Sequence, residues 1–209
     1  SIISKKAVLF DLDGVLLNSR PNMERAWQDV RDRLGVSVEF KDYFKNIGRP
    51  FSDILEILDL QDRAGEIESV YSKSSKDNFD LATFYPFVVE SLQKIEDHGI
   101  KLGIVTSKDQ ERTNIVLNRL PVKFLSVQTP NPCFRGKPAP DHLLSAIADL
   151  NVDPKDSLFV GDAEVDAMAA LRAGVDYCHA NWGYGETKLD HVTFLNDIQS
   201  LLIFLEIER

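Results

Sequence analysis

Two aspartates separated by one leucine, Asp11 and Asp13, follow the apolar run Ala7 to Phe10 and are closed by Gly14 in the stretch AVLFDLDGV. Two more apolar runs end as abruptly, Leu102 to Val105 on Thr106 and Ser107, and Leu158 to Val160 on Gly161 and Asp162, with Asp166 four residues later. A lysine, Lys137, sits in the segment FRGKPAPD. Carboxylates gathered at one place repel and raise one another's pKa unless a cation neutralises them. A few hard oxygen ligands, with room left for water and substrate oxygens, suit Mg²⁺ better than zinc or a calcium cage. Asp11 is the natural nucleophile toward phosphorus, and Asp13 can serve as general acid to the leaving oxygen and then as general base to water. Thr106 and Lys137 can hold a transferring phosphoryl group. Asp162 would bind the metal, and Asp166, one helical turn on, would bind it or orient a metal-bound water.

Residues this far apart meet only if their elements share one edge. Short apolar runs alternating with helical patterns read as strands buried on both faces of a parallel sheet. Val122 to Val127 and Val175 to His179 are further strand candidates. The helical segments are Phe87 to Asp97, Gln110 to Arg119, Ala139 to Leu150, Val165 to Ala173 and Ile198 to Ile207, with Gly99 and Gly174 at helix ends and Pro154 breaking the chain before a strand. This alternation predicts a doubly wound, Rossmann-like α/β core whose ligands bind beyond the carboxyl ends of the strands.

Residues 17–80 interrupt the alternation. Met23, Ala26, Trp27, Val30 and Leu34 keep helical spacing, as do Ile54, Leu55 and Leu58, and then Ile67, Val70 and Tyr71. The stretch is too long for an ordinary loop and reads as a small helical cap domain inserted after the first strand, the core being residues 1–16 and 81–209. Trp27 and the other cap aromatics are expected in packing roles.

Composition narrows the function classes. The 209 residues carry 24 basic and 33 acidic side chains, a net charge of −9, which disfavours nucleic acid and anionic membranes as partners. A small anionic substrate therefore needs a local positive site. Cys133 and Cys178 stand far apart with no metal or redox spacing, so two reduced thiols in a cytoplasmic protein are expected. His98, His142, His179 and His191 show no paired metal spacing either. No run has the length of a membrane span, and SIISKK lacks the apolar stretch of a signal peptide. The first residue is Ser1 rather than methionine, which leaves open that residues precede it.

DLDGV, VTSK, GKPAPD and GDAEVD occur in that order. With them the chain resembles the haloacid dehalogenase superfamily, near its phosphoglycolate-phosphatase-like branch, and the likeness extends to the insertion, to NWGYGE at 181–186 and to the tail DHVTFLNDIQSLL. The resemblance implies that Asp11 is nucleophile and metal ligand. It implies that Asp13 gives its backbone carbonyl to Mg²⁺ and its side chain to proton transfer, that Thr106, Ser107 and Lys137 contact phosphate, and that Asp162 is the remaining carboxylate ligand. Ser107 and Lys108 stand where many relatives carry asparagine after the threonine, which leaves the leaving-group contacts open. Asn18, Arg20 and Arg49 are the candidates for meeting the remote end of a substrate.

The reading that follows is Mg²⁺-dependent hydrolysis of a small phosphate monoester through an aspartyl-phosphate. A metal-free dehalogenase has no use for Asp13, and a phosphonatase would want a cap lysine, for which Lys41 and Lys45 are the nearest candidates. A sugar phosphomutase of the β-phosphoglucomutase type and a non-catalytic binding domain stay open as alternatives. The substrate and the oligomeric state are not legible, since LLIFLEI could pack on the core or on another subunit.

Overall fold

The computed structural model describes residues 4–190 and 192–209, so His191 lies outside the described residues. In chain order the elements are β1 (Ala7–Phe10), β2 (Leu17–Asn18), α1 (Arg20–Leu34), α2 (Phe40–Phe44), α3 (Phe51–Ile57), α4 (Ala64–Asp77), β3 (Thr83–Phe84), α5 (Val88–Asp97), β4 (Lys101–Val105) and α6 (Gln110–Leu117). They continue with β5 (Phe124–Gln128), α7 (Asp141–Leu150), β6 (Ser157–Gly161), α8 (Glu164–Ala173), β7 (Asp176–Ala180), β8 (Thr193–Leu195) and α9 (Ile198–Phe204).

Successive side chains of a strand point to opposite faces. In β1, Val8 and Phe10 accordingly join Leu92 and Ile95 of α5, Val116 of α6 and Leu201 of α9 in one apolar cluster. Ala7 and Leu9 join Leu143 and Ile147 of α7 and Ala169 and Ala170 of α8 in another. Both faces are covered, which is why all four β1 residues are apolar and fully buried. Among the described residues the sheet has six strands, all paired in parallel, in the order β5-β4-β1-β6-β7-β8. The expected doubly wound α/β core is therefore observed. The chain leaves β1 for the β4 side and later returns to the β6 side, so the strand order reverses at β1, the place where such sheets bind ligands.

Residues 17–80 behave as the helical spacing predicts, forming α1 to α4 around an apolar cluster of their own that includes Trp27, Ile54, Leu55 and Ile67. Trp27 stacks on Tyr43 at 4.5 Å and donates its indole N–H to Val38 O, a packing role. The two-stranded antiparallel ribbon of β2 and β3 ties both ends of the insertion together, pairing Leu17 with Phe84 and Asn18 with Thr83.

The tail packs on the core. Leu201 and Leu202 are buried, while Ile203 and Phe204 of the same helix face outward. No helix is long and apolar enough to cross a membrane. Cys133 is exposed and Cys178 is buried, and burial pushes the Cys178 thiol up to about 12. An aromatic disulfide reagent is thus expected to titrate one thiol in the native protein at mildly alkaline pH and both in denaturant. Two fast thiols in the native state would contradict this packing.

Candidate active site

Asp11, Thr106 and Asp162 each follow the last residues of β1, β4 and β6, which are adjacent in the sheet, so strand pairing alone sets them side by side. Asp11 Oδ1 accepts the Leu12 N–H at 2.7 Å, and Oδ2 accepts from Lys137 Nζ at 3.0 Å. Lys137 comes from the segment before α7 and also donates to Asp166 Oδ1 at 2.6 Å. Asp166 lies in the first turn of α8. Its Oδ2 accepts the backbone N–H groups of Asp162 and Ala163, both at 3.0 Å, so it clamps the turn after β6 while holding the lysine.

Carboxylate oxygens of Asp11, Asp162 and Asp166 lie within 4.8 Å of one another, and all three residues are buried. Lys137 is their single ammonium in contact among the described residues. Burial, with Asp166 and Asp13 nearby, raises the Asp11 carboxyl to about 7 despite the pull of Lys137. Burial, with Asp166 and Asp11, holds Asp162 well above the usual carboxylate range. Burial disfavours the charge on Lys137, yet Asp11 and Asp166 outweigh it and hold the ammonium above its ordinary value. One cation therefore does not neutralise three carboxylates, and a compact, all-oxygen donor set of this kind fits a small hard cation. Backbone closes around it: Gly14 has φ +83°, and a Cβ there would come 2.1 Å from Asp162 Oδ2. A Cβ on Gly183 would come 2.3 Å from Asp162 Cβ.

Asp13 is held differently. Ser19 Oγ donates to Asp13 Oδ1 at 2.6 Å, and Lys108 Nζ pairs with the same oxygen at 3.2 Å. Both donors act on Oδ1. Burial lowers the pKa of Lys108, against the opposing pull of Asp13. Because Ser19 turns its hydroxyl to Asp13, it does not cap α1, and Tyr184 serves instead. The Tyr184 hydroxyl accepts the N–H groups of Ser19 and Arg20 at 2.8 and 3.0 Å, while the Tyr184 backbone N–H donates to Asp162 Oδ2 at 2.7 Å. His179 steadies this loop by contacting Gly185 O through Nε2 at 3.0 Å.

A cavity of about 50 Å³ lies over these groups, walled from the core by Asp11, Asp13, Thr106, Lys108, Arg112 and Asp162. The insertion supplies Tyr43, Arg49 and Tyr71 among others. Of the three remote-end candidates, Arg49 lines the cavity. Arg20 instead lays its guanidinium over the Phe44 ring at 4.6 Å, and Asn18 sits in the β2 ribbon beside Tyr184. Ser107 Oγ donates to Gly48 O at 2.9 Å, which ties the turn after β4 to the insertion, and Thr106 Oγ1 accepts the Lys108 N–H at 3.1 Å. Ser107 and Gly48 both line the cavity.

Residues 8–180 match the family model described as haloacid dehalogenase-like hydrolase. The chain belongs to that family. A pyrophosphatase PpaX from Anoxybacillus flavithermus is 30% identical, over 84% of this chain and 83% of its own. A phosphoglycolate phosphatase from Aquifex aeolicus is also 30% identical, over 86% of each. Among solved structures, CbbY from Rhodobacter sphaeroides in complex with phosphate gives a TM-score of 0.83 at 18% identity, covering 97% of this chain and 99% of that one. At that identity the likeness shows the fold.

For a haloacid dehalogenase-like hydrolase, the residues to which sequence reasoning assigns no site role are Ser19, Lys108, Arg112 and Tyr184. Lys108 lies in VTSK, and Arg112 follows four residues later in the first turn of α6. Tyr184 lies in NWGYGE, but nothing local shows that its hydroxyl reaches across 165 positions to Ser19.

Proposed function

We propose that this chain is a Mg²⁺-dependent phosphatase that hydrolyses a small phosphate monoester through a phosphoryl-Asp11 intermediate. The observation that carries the reading is the separation of the two aspartates into two environments. Asp11 is clamped by Lys137 within the carboxylate cluster, whereas Asp13 is clamped by Ser19 and Lys108 outside it. The family membership and the names of the relatives support the same activity.

Asp11, Asp162 and the backbone carbonyl of Asp13 would hold the metal, with Asp166 behind them. When bound, Mg²⁺ supplies positive charge to the phosphoryl oxygens and to the cluster. Asp11 attacks phosphorus in line, and the leaving alkoxide takes a proton from Asp13, whose Oδ2 stays free of the two donors on Oδ1. Lys137 and Thr106 receive the equatorial oxygens. Asp13 then takes a proton from the water that hydrolyses the acyl phosphate. Residues 17–80 act as a cap on the core of residues 1–16 and 81–209, opening for substrate and closing through contacts such as Ser107 to Gly48 to exclude bulk water. Arg49 faces the substrate from the cap.

Phosphate release from a panel of small phosphate esters is expected with Mg²⁺ and is expected to vanish with EDTA. Independently of turnover, Mg²⁺ at about 100 times its Kd is expected to stabilise the fold by about 2.7 kcal/mol, read as a rise in melting temperature that Asp162→Asn removes. An isomeric phosphate ester formed without free phosphate would overturn the phosphatase reading. Equal melting with and without Mg²⁺ would overturn the metal site.

A further inference from the structure

The cavity is lined by a cation that the phosphoryl chemistry does not use. Arg112 belongs to α6 of the core, its side chain is 12% exposed, and it lines the same cavity as Asp11 and Asp13. It is fixed from three directions. Asp109, the N-cap of α6, accepts the Arg112 backbone N–H at 2.8 Å and pairs with Nε at 2.6 Å. Nη1 donates to Ser75 Oγ of the cap at 3.1 Å, and the guanidinium lies 5.5 Å from the centre of the Tyr71 ring. A guanidinium immobilised in this way loses little further freedom when it binds an anion, and its fork suits a carboxylate or a phosphate.

We infer that Arg112 is a specificity-determining residue that binds a second anionic group, a carboxylate or a second phosphoryl, on the part of the substrate that leaves Asp11's phosphorus. This rests on the phosphatase reading and adds to it a substrate class: a short phosphate ester or anhydride with a negative charge at both ends. Three observations converge on it. Arg112, Lys108 and Arg49 line one cavity, and the carboxylates that line it, Asp11, Asp13 and Asp162, belong to the phosphoryl site. Lys108 is already paired with Asp13, and Asp109 engages Arg112 at Nε, so Arg112 has donors left to offer. The cavity is small, about 50 Å³, which disfavours a long or bulky leaving group. Selectivity would then be set in part by the core, through a residue that touches the cap at Ser75 and Tyr71, as well as by the cap's own Arg49.

The test compares two esters of similar size, phosphoglycolate and 2-hydroxyethyl phosphate, in the wild-type chain and in Arg112→Gln and Arg112→Lys. The wild type is expected to favour phosphoglycolate in kcat/KM by at least roughly 100-fold, and Arg112→Gln is expected to cut that ratio by roughly 10- to 100-fold, with Arg112→Lys in between. A merely structural role for Arg112 lowers both esters alike and leaves the ratio unchanged, which would overturn the inference. So would a wild type that does not discriminate. A separate arm keeps the two readings apart. Phosphoglycolate binding is measured by calorimetry in Asp11→Asn, with and without Arg112→Gln. A tenfold or greater loss of affinity supports the subsite even if no ester is hydrolysed, in which case the phosphatase reading alone fails. Equal affinity in the two proteins overturns the subsite whatever the turnover.

Discussion

Asp11→Asn is expected to reduce phosphate release by on the order of 10⁴- to 10⁶-fold, because removing a nucleophile costs about as much as removing the whole catalytic group it works with. The substitution is nearly isosteric. The amide oxygen can still accept the Leu12 N–H, while the NH2 group that replaces Oδ2 cannot accept from Lys137, which keeps Asp166 as its partner. What is lost is the oxygen that bonds to phosphorus, and with it one of three buried carboxyl groups. Initial rates at saturating Mg²⁺, beside circular dichroism of both proteins, separate loss of chemistry from loss of fold. Turnover within tenfold of the wild type would exclude Asp11 as nucleophile. Asp13→Asn sharpens the result, since a chain that attacks but cannot move the proton is expected to accumulate phosphoryl-Asp11 from a substrate with a good leaving group, visible by mass spectrometry of the quenched enzyme.

The second large effect is expected at Lys137. Its side chain is 2% exposed, and its ammonium bonds both Asp11 and Asp166. In Lys137→Met three carboxylates face one another with no cation of the chain in contact. Breaking a buried pair by removing one partner costs about 3 to 5 kcal/mol, because the remaining charge has neither water nor a counter-ion. At about 2–4 °C per kcal/mol for a chain of this size, the melting temperature is expected to fall by roughly 10 °C. Activity is expected to fall by roughly 10²- to 10³-fold through loss of a positive group at the phosphoryl oxygens. Added Mg²⁺ is expected to recover part of the melting temperature but not the activity, since it offsets the repulsion without replacing the phosphate contact. A variant as stable and as active as the wild type would show that Lys137 is only a neighbour of the site.

Much of the site was legible because its residues end strands. β1, β4 and β6 are covered on both faces, so each is a continuous apolar run, and the first polar residues after it mark the edge where the candidate site lies. Helix bodies were legible for a related reason: Leu143, Ala146, Ile147 and Leu150 of α7 sit on one buried stripe. The β2 and β3 ribbon was not, because strands of two residues have no period to read. Nor was β8, whose three residues are placed by pairing with β7 rather than by an apolar run. Arg112 and Ser19 escaped notice because a charged residue near a helix start and a serine before one are commonplace, and only their long-range partners distinguish them. Asp166 was expected near the metal. Its side chain is occupied by Lys137 and two backbone N–H groups, a role visible only once the turn after β6 is folded.

Tyr184 has a consequence for how this chain comes apart. The N–H groups of Ser19 and Arg20, at the start of α1, are satisfied by the hydroxyl of Tyr184, on a loop that also grips Asp162 and is steadied by β7. The start of the insertion's leading helix is thus held by a loop from the last third of the chain. The two are expected to open as one cooperative unit. Excised by itself, the insertion would begin with a frayed helix, and hydrogen exchange in the intact protein should report the start of α1 and the 181–186 loop opening as a single event.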